Sequence, residues 1–439
     1  MRQDTSICVD YVARVEGQGA LDIKVSGGKV EYAKFSIFEP PRFFEAFLVG
    51  RRCDEVHELT SRICGICPVA HQITALRAVE NALGIKVSQQ TRDLRKLFAL
   101  SAHISSHVLN LYFLAAPDYF GYESIIPIAR HNPDLFKRAL ALKKVGNDLT
   151  ELIGGRSVHP ISAVVGGFTA LPDRDGLRAI RARLITAKEY ALKDVELFSN
   201  LKIPSFERRC EHVALRSDSE YAINDGRLVS TDGLNIAESE YREYIGEKQV
   251  PHSTAKHSHV KNRSSIMVGP LPRVNLNFDK LSPDTRKAAK QIGFQPPVFK
   301  PYMSIVARAL EVVNAIDESV EIIDRLKLKQ EDLSFEIKAG EGAAITEAPR
   351  GILYHYYKFD REGKVEKADI VTPTAHYAFN VEKDLYELVP NLLDQPLEEA
   401  ALKCEMLVRA YDPCISCSAH FVNLRVENKT LHSPTIGKR

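Results

Sequence analysis

Two C-x-x-C pairs stand at opposite ends of this 439-residue chain, Cys64/Cys67 in SRICGICPVAH and Cys414/Cys417 in YDPCISCSAH. No other feature constrains the fold as strongly, because thiols that act together must be joined by everything folded between them. Each pair reads as lying at a helix start. Pro68 suits the opening position of a helix, whose free N–H groups and dipole favour thiolates. Asp412 reads as an N-cap, with Pro413 at the first helical position. Cys414 and Cys417 then share one face of the opening turn, and thiols so placed deprotonate readily and become metal ligands. One C-x-x-C alone is a redox dithiol or a coincidence; two ask for a shared role. Four soft sulfurs suit structural zinc first and an iron–sulfur cluster next. Zinc ribbons, however, close loops of about 15–20 residues. A site that joins both chain ends suits a catalytic centre, which sets a redox-active metal slightly ahead of zinc. The spacing goes no further.

Composition removes several function classes. Lys+Arg 59 against Asp+Glu 57 leaves a net charge of +2, without the basic excess that nucleic-acid binding needs. Eight cysteines are too few for a disulfide scaffold, and reduced thiols fit a cytoplasmic chain. No uncharged apolar run approaches a membrane span, and MRQDTSICVDYVARVEG has no signal-peptide character. Alternating patterns give strands over about 7–40. Helical periodicity dominates about 68–200 and 301–420, including VAHQITALRAVENALG closed by Gly84 and a long apolar helix ending before Pro117. β-rich excursions fall at about 212–274 and 333–372, the second with a hairpin turning at Asp360–Gly363. The expected class is α+β, long packed helices with peripheral antiparallel β regions, in one intertwined unit over 1–420. Neither G-x-G-x-x-G nor G-x-x-x-x-G-K-[ST] occurs, so a nucleotide site is not expected.

The two cysteine motifs, with ARVEGQGAL, PPRFFEAF, GGRSVHPISAVVGGF, EAPRGIL and IVTPT in the same order, resemble the large subunit of the [NiFe]-hydrogenases over about residues 8–420. The wording of APRGIL and YDPCISCS is most similar to the cytosolic NAD(P)-linked and sulfhydrogenase group. The resemblance implies a hydrogenase large-subunit fold and heterolytic H2 oxidation or proton reduction. It implies nickel on Cys64, Cys67, Cys414 and Cys417, with Cys67 and Cys417 bridging to an iron that carries CO and cyanide. Glu16 matches a glutamate that relays protons from Cys414, a role that needs a carboxylate within hydrogen-bond reach; without the motif it reads as structural. Arg350 matches the arginine above the open metal position, as base or as positioner, with Pro349 shaping the pocket and Asp412 holding the guanidinium. A buried cation beside an anion-rich cluster is electrostatically reasonable. Thr374 matches a hydroxyl that hydrogen-bonds a cyanide, and His71 a donor to a bridging sulfur. Glu45 and His420 match ligands of a Mg2+ that would anchor the C-terminal segment.

The same resemblance implies cleavage after His420 by a maturation endopeptidase, making 421–439 a propeptide. It implies an Fe–S small subunit, since the other cysteines (Cys8, Cys53, Cys210, Cys404) are scattered singly and read as buried small hydrophobes. Diaphorase-type subunits would carry flavin, NAD(P) and further Fe–S clusters, none of which is expected in this chain. His159 is assigned to the subunit boundary. Where other family members carry an acid in the long second helix, this chain has Ser106-His107. HSTAKHSH, with His252, His257 and His259, fits no standard metal spacing and reads as a polar loop. The alternatives are a deazaflavin-reducing hydrogenase, a metal-free quinone-oxidoreductase-type scaffold of the same fold, and a structural protein with zinc on the four paired cysteines. Four retained thiols weigh against the scaffold. Polysulfide reduction stays open as a side activity.

Overall fold

The computed structural model describes residues 5–419. Strands Thr5–Val9, Gly19–Ser26 and Lys29–Ile37 form an antiparallel sheet in sequence order. Alternate residues of the middle strand, Leu21, Ile23 and Val25, turn into the core, as period-two patterning requires.

The helical core begins at Pro68–Leu83, which has proline at its start and Gly84 in the left-handed conformation (φ 70°) at its end. Nearly every side chain of this helix is buried. It lies under the three-stranded antiparallel sheet Gly340–Ala348, Gly351–Phe359, Val365–Val371. The approach is so close that a Cβ on Gly342 would stand 2.5 Å from Ala78 O and closer still to the Ala82 backbone. Helix Gln89–Val108 packs on Pro133–Gly154 and on Ser304–Arg325, and the last of these packs on Arg174–Ser199. Ser88, Asn132 and Asp173 cap three of the four by accepting a hydrogen bond from a first-turn N–H.

Several expectations change. The second helix does not stop before Pro117: it widens into a π-helical turn over Leu109–Ala115 and resumes as Ala116–Phe120. The wide turn adds a residue without breaking the axis, and it places Pro117 in a new first turn, where its missing N–H costs nothing. Gln89–Phe120 (32 residues) contains an 18-residue window of mean hydropathy 1.3, long and apolar enough to cross a membrane, contrary to the sequence reading, but 83% of that window is buried inside the fold. The excursion after residue 211 contains one parallel pairing, Ile266–Met267 on Glu211–Arg216, beside antiparallel ones. His257–Val260 is a strand paired with Ile245–Lys248, so HSTAKHSH is only half loop. The helix Pro373–Leu388 falls in the stretch expected to be helical, although the sequence pattern singles out no separate helix there. Cys53, Cys210 and Cys404 are buried as expected, whereas Cys8 is exposed.

Candidate metal centre

The Pro68 helix starts directly after Cys67, and the Leu397–Tyr411 helix delivers the chain to Cys414. Asp412 is not an N-cap. It ends the Leu397–Tyr411 helix with φ 58°, a left-handed turn that Asp tolerates better than most residues, and Cys414 takes the cap position of the short helix Ile415–Ser418. This reversal aims the second thiol pair at the first. Cys64 and Cys414 sulfurs are 3.4 Å apart, Cys67 and Cys417 3.7 Å, and Cys414 and Cys417 2.6 Å. All four thiols are buried and free of disulfides, and their sulfurs lie within 4.8 Å of one another. Metal–sulfur bonds of about 2.3 Å around one ion put tetrahedral sulfurs roughly 3.8 Å apart, so the donor set and the two cross-pair spacings fit a thiolate-bound metal, and the closer Cys414–Cys417 pair would spread on binding it.

Electrostatics favour the same occupant. Burial drives the Cys414 and Cys417 thiols well above their ordinary range, while sulfur hydrogen bonds from Cys414, Cys417 and Cys64 draw Cys67 well below it. Crowded thiols thus share little negative charge until a cation replaces their protons. Arg350 is fully buried beside them. Burial opposes its charge, but Asp412, Cys414, Cys67 and Cys64 outweigh that opposition and raise its pKa further. Its Nε donates to the Asp412 carbonyl (2.9 Å) and its Nη2 to the Asp412 carboxylate (3.2 Å), while Nη1 and Asp412 Oδ2 have no partner among the described residues. These orphaned atoms mark a polar space beside the sulfurs that suits a metal carrying small polar ligands.

The other predicted residues fall around this point. Thr374 Oγ1 accepts from Cys414 N–H (3.0 Å) and is 3.1 Å from the Tyr377 hydroxyl. Pro349 offers its carbonyl to Arg273 (2.8 Å). The Glu16 carbonyl accepts from Ile415 N–H (2.9 Å), and its carboxylate holds the Ser416 N–H (3.1 Å) and hydroxyl. Glu45 lies away from the sulfurs and accepts from Ile370 N–H (2.8 Å); burial lifts its carboxyl to about 7. His420 and the 421–439 tail lie outside the described residues. His159 holds the Ser61 carbonyl (3.0 Å) in a loop beside exposed Val158 and Ile161.

Several members were not found from sequence. His71 hydrogen-bonds Cys67 and also meets His355 (Nδ1–Nε2 3.2 Å), whose Nδ1 meets the Tyr357 hydroxyl (2.6 Å). With the tyrosine donating, each imidazole has one acceptor and one donor nitrogen, and the row ends with an N–H on sulfur. Arg273 pairs with Glu311 (2.6 Å) and Glu347 (2.9 Å) while gripping the Ala348 and Pro349 carbonyls, which fixes the turn before Arg350. His107 joins the same network through Glu311 (2.8 Å). Arg308 is buried beside Asp412 with all three guanidinium nitrogens unpartnered. The alternating pattern of GILYHYYKF could have flagged His355 and Tyr357 as one inward face; the Arg273–Glu311 pairing leaves no local signal.

A family model described as nickel-dependent hydrogenase matches residues 42–135 and 219–420. The chain belongs to the nickel-dependent hydrogenase family, as a large subunit of the [NiFe] type, and is an oxidoreductase acting on H2. Among its relatives are two from Pyrococcus furiosus. Sulfhydrogenase 1 subunit alpha is 37% identical over 95% of this chain and 98% of that protein. Sulfhydrogenase 2 subunit alpha is 33% identical over 95% and 99%. A solved NAD+-reducing [NiFe]-hydrogenase in its H2-reduced state shares the fold, with a TM-score of 0.85 at 24% identity over 95% of this chain and 99% of that one.

Proposed function

We propose that Cys64, Cys67, Cys414 and Cys417 hold nickel, that Cys67 and Cys417 also bridge an iron bearing CO and cyanide, and that the subunit feeds electrons from H2 to NAD(P). The observation carrying this reading is the meeting of four buried thiols from the two chain ends. The bound metals supply a site where H2 is polarised and split heterolytically. Everything else belongs to the chain. Cys414 is the sulfur that takes the proton. Glu16, held beside it by Ser416, is the carboxylate that moves the proton outward. Arg350 supplies fixed positive charge over the reacting position without reorganisation, and Asp412 orients it. Thr374 positions a cyanide, and His71 donates to Cys67.

Mg2+ on Glu45 and His420 would tie down the C-terminal segment, with 421–439 removed by an endopeptidase after metal insertion. The relatives named above are subunits of larger enzymes. Accordingly, an Fe–S small subunit is assigned to the face carrying exposed Phe43, Phe47 and Val49, with diaphorase-type flavin and NAD(P) subunits beyond it in a cytoplasmic complex. Infrared spectra of the matured enzyme test the reading: CO and cyanide bands with equal nickel and iron are expected, and their absence from maturation-competent material would defeat it.

A further inference from the structure

We propose a second metal site, remote from the sulfurs, in which His252, His257 and Glu382 bind a borderline divalent transition metal such as Zn2+. His252 lies in the loop after strand Ile245–Lys248, His257 opens the strand His257–Val260, and Glu382 lies on the helix Pro373–Leu388. Their nitrogen and carboxylate donors lie within 4.8 Å of one another. His252 Nε2 is 2.6 Å from Glu382 Oε1, and His257 Nδ1 is 3.9 Å from Oε2. Ligands at about 2.0–2.1 Å around a tetrahedral ion stand roughly 3.3 Å apart. The two spacings straddle that value, so well under 1 Å of adjustment is needed between each histidine and Glu382, with the two imidazoles within 4.8 Å of each other.

A second observation points to a ligand. His257 is 4% exposed, and its Nδ1, the ring nitrogen that faces Glu382, is too far from the carboxylate for a hydrogen bond. A metal between them would give Nδ1 the partner that this spacing denies it and leave the proton on Nε2, which has no acceptor among the described residues. Glu382 also accepts from Phe35 N–H (3.0 Å), which orients the carboxylate as ligand-supporting hydrogen bonds do. Two neutral imidazoles and one carboxylate select zinc or a similar ion over Mg2+. His252 is partly exposed, which gives water a route to a fourth position.

The site would act as a clamp. Thr254 N–H donates to Ile37 O (2.8 Å), and Ala255 pairs with Ala419, two residues beyond Cys417. A metal pinning His252 and His257 to Glu382 therefore stiffens the loop that holds the end of the second thiol segment. This inference does not depend on the chemistry assigned to the sulfurs.

The test loads the matured enzyme complex with Zn2+, desalts it, and measures zinc per chain by elemental mass spectrometry and its ligands by zinc K-edge absorption. One zinc with nitrogen and oxygen ligands is expected in the unaltered enzyme. It should persist in Glu45→Gln, which separates it from the other candidate cation site. Occupancy should fall at least about tenfold in His257→Ala and in His252→Gln. The second variant alters a partly exposed side chain and keeps a hydrogen-bonding group, so zinc lost with nickel and melting temperature retained supports the site even if His257→Ala folds poorly. No zinc in the unaltered enzyme, sulfur ligation, or equal zinc in His252→Gln would overturn the proposal.

Discussion

Arg350 illustrates how one buried side chain depends on several partners. Its guanidinium reads Asp412 through both a backbone and a side-chain acceptor, and the turn carrying it is fixed by Arg273. Lysine keeps the charge but loses the planar fork that makes both contacts. We expect Arg350→Lys to retain nickel, iron and the CO and cyanide bands while turnover falls about a hundredfold or more; unchanged turnover would remove the arginine from the chemistry. Glu16→Gln keeps the Ser416 contacts nearly intact and removes only the proton-carrying function. Turnover should fall about a hundredfold with the infrared spectrum unmoved, and a fully active variant would reassign Glu16 to holding the Ser416 loop. The His355–His71 row predicts a different signature. His355→Leu unfixes the tautomer of His71, so the CO and cyanide bands should shift while metal content stays constant, and a spectrum identical to the parent's would sever His355 from the thiolate.

At the level of elements, the thiol pairs meet because a helix and a sheet touch without intervening side chains. Pro68–Leu83 can start at Cys67 and still be buried because Gly340 and Gly342 let the strand lie on its last turn. Gly342→Ala should cost about 1–3 kcal/mol through overpacking, seen as a lower melting temperature. Nickel occupancy should fall with it, because displacing this helix displaces Cys67; a variant with parental stability would show that the contact is loose. The same contact shows what was legible beforehand. The C-x-x-C pairs, the first three strands and the Asp360–Gly363 hairpin carry local signals: fixed spacing, alternation and turn residues. The π turn at Leu109–Ala115 does not, because it is buried or half-buried throughout, and the helix Pro373–Leu388 carries a polar edge only in its second half, at Glu382, Lys383 and Glu387. Asp412 was misread for a related reason. Asp before Pro is a fair N-cap signal, but the preceding helix ran on to Tyr411 and required a left-handed exit there. Pairings between distant residues, such as Arg273 with Glu311 or His257 with Glu382, leave no trace in either local sequence.

For the molecule as a whole, the most consequential choice is the burial of so many titratable side chains. Burial pushes His57 and His376 down to about 4, and His103 and His212 down to about 3, from an ordinary 6.5. Each therefore binds a proton in the unfolded chain but not in the folded one over that window. Their stabilising effect is complete above pH 6.5 and is lost as pH falls through the folded values, at about 1.4 kcal/mol per pH unit each. Buried carboxyls outside the assigned metal sites act oppositely, Asp194 and Glu347 most strongly, with Glu247, Glu318 and Asp384 also raised. Burial raises Asp194 and Glu347 to about 7, so between pH 7 and about 4 the folded state holds protons that the unfolded state lacks, and acidification there favours folding. The histidine shifts outweigh the carboxyl shifts, so unfolding still takes up protons as pH falls from 6.5 toward 4. Below about pH 4.5 the offset disappears. Glu311 then adds to the loss, because Arg273 and His107 outweigh its burial and keep it ionised in the folded state. Stability should thus decline from pH 6.5 and go on declining below pH 4.5, where the fading carboxyl offset is matched by His57 and His376 taking up protons in the folded state. Thermal unfolding of the matured enzyme at half-unit pH intervals, with proton uptake measured by buffer-dependent calorimetry, reads both slopes. A decline that begins only below pH 4.5 would mean that the buried histidines are matched by protonated carboxyls, and a flat profile to pH 4 would mean that their burial costs nothing.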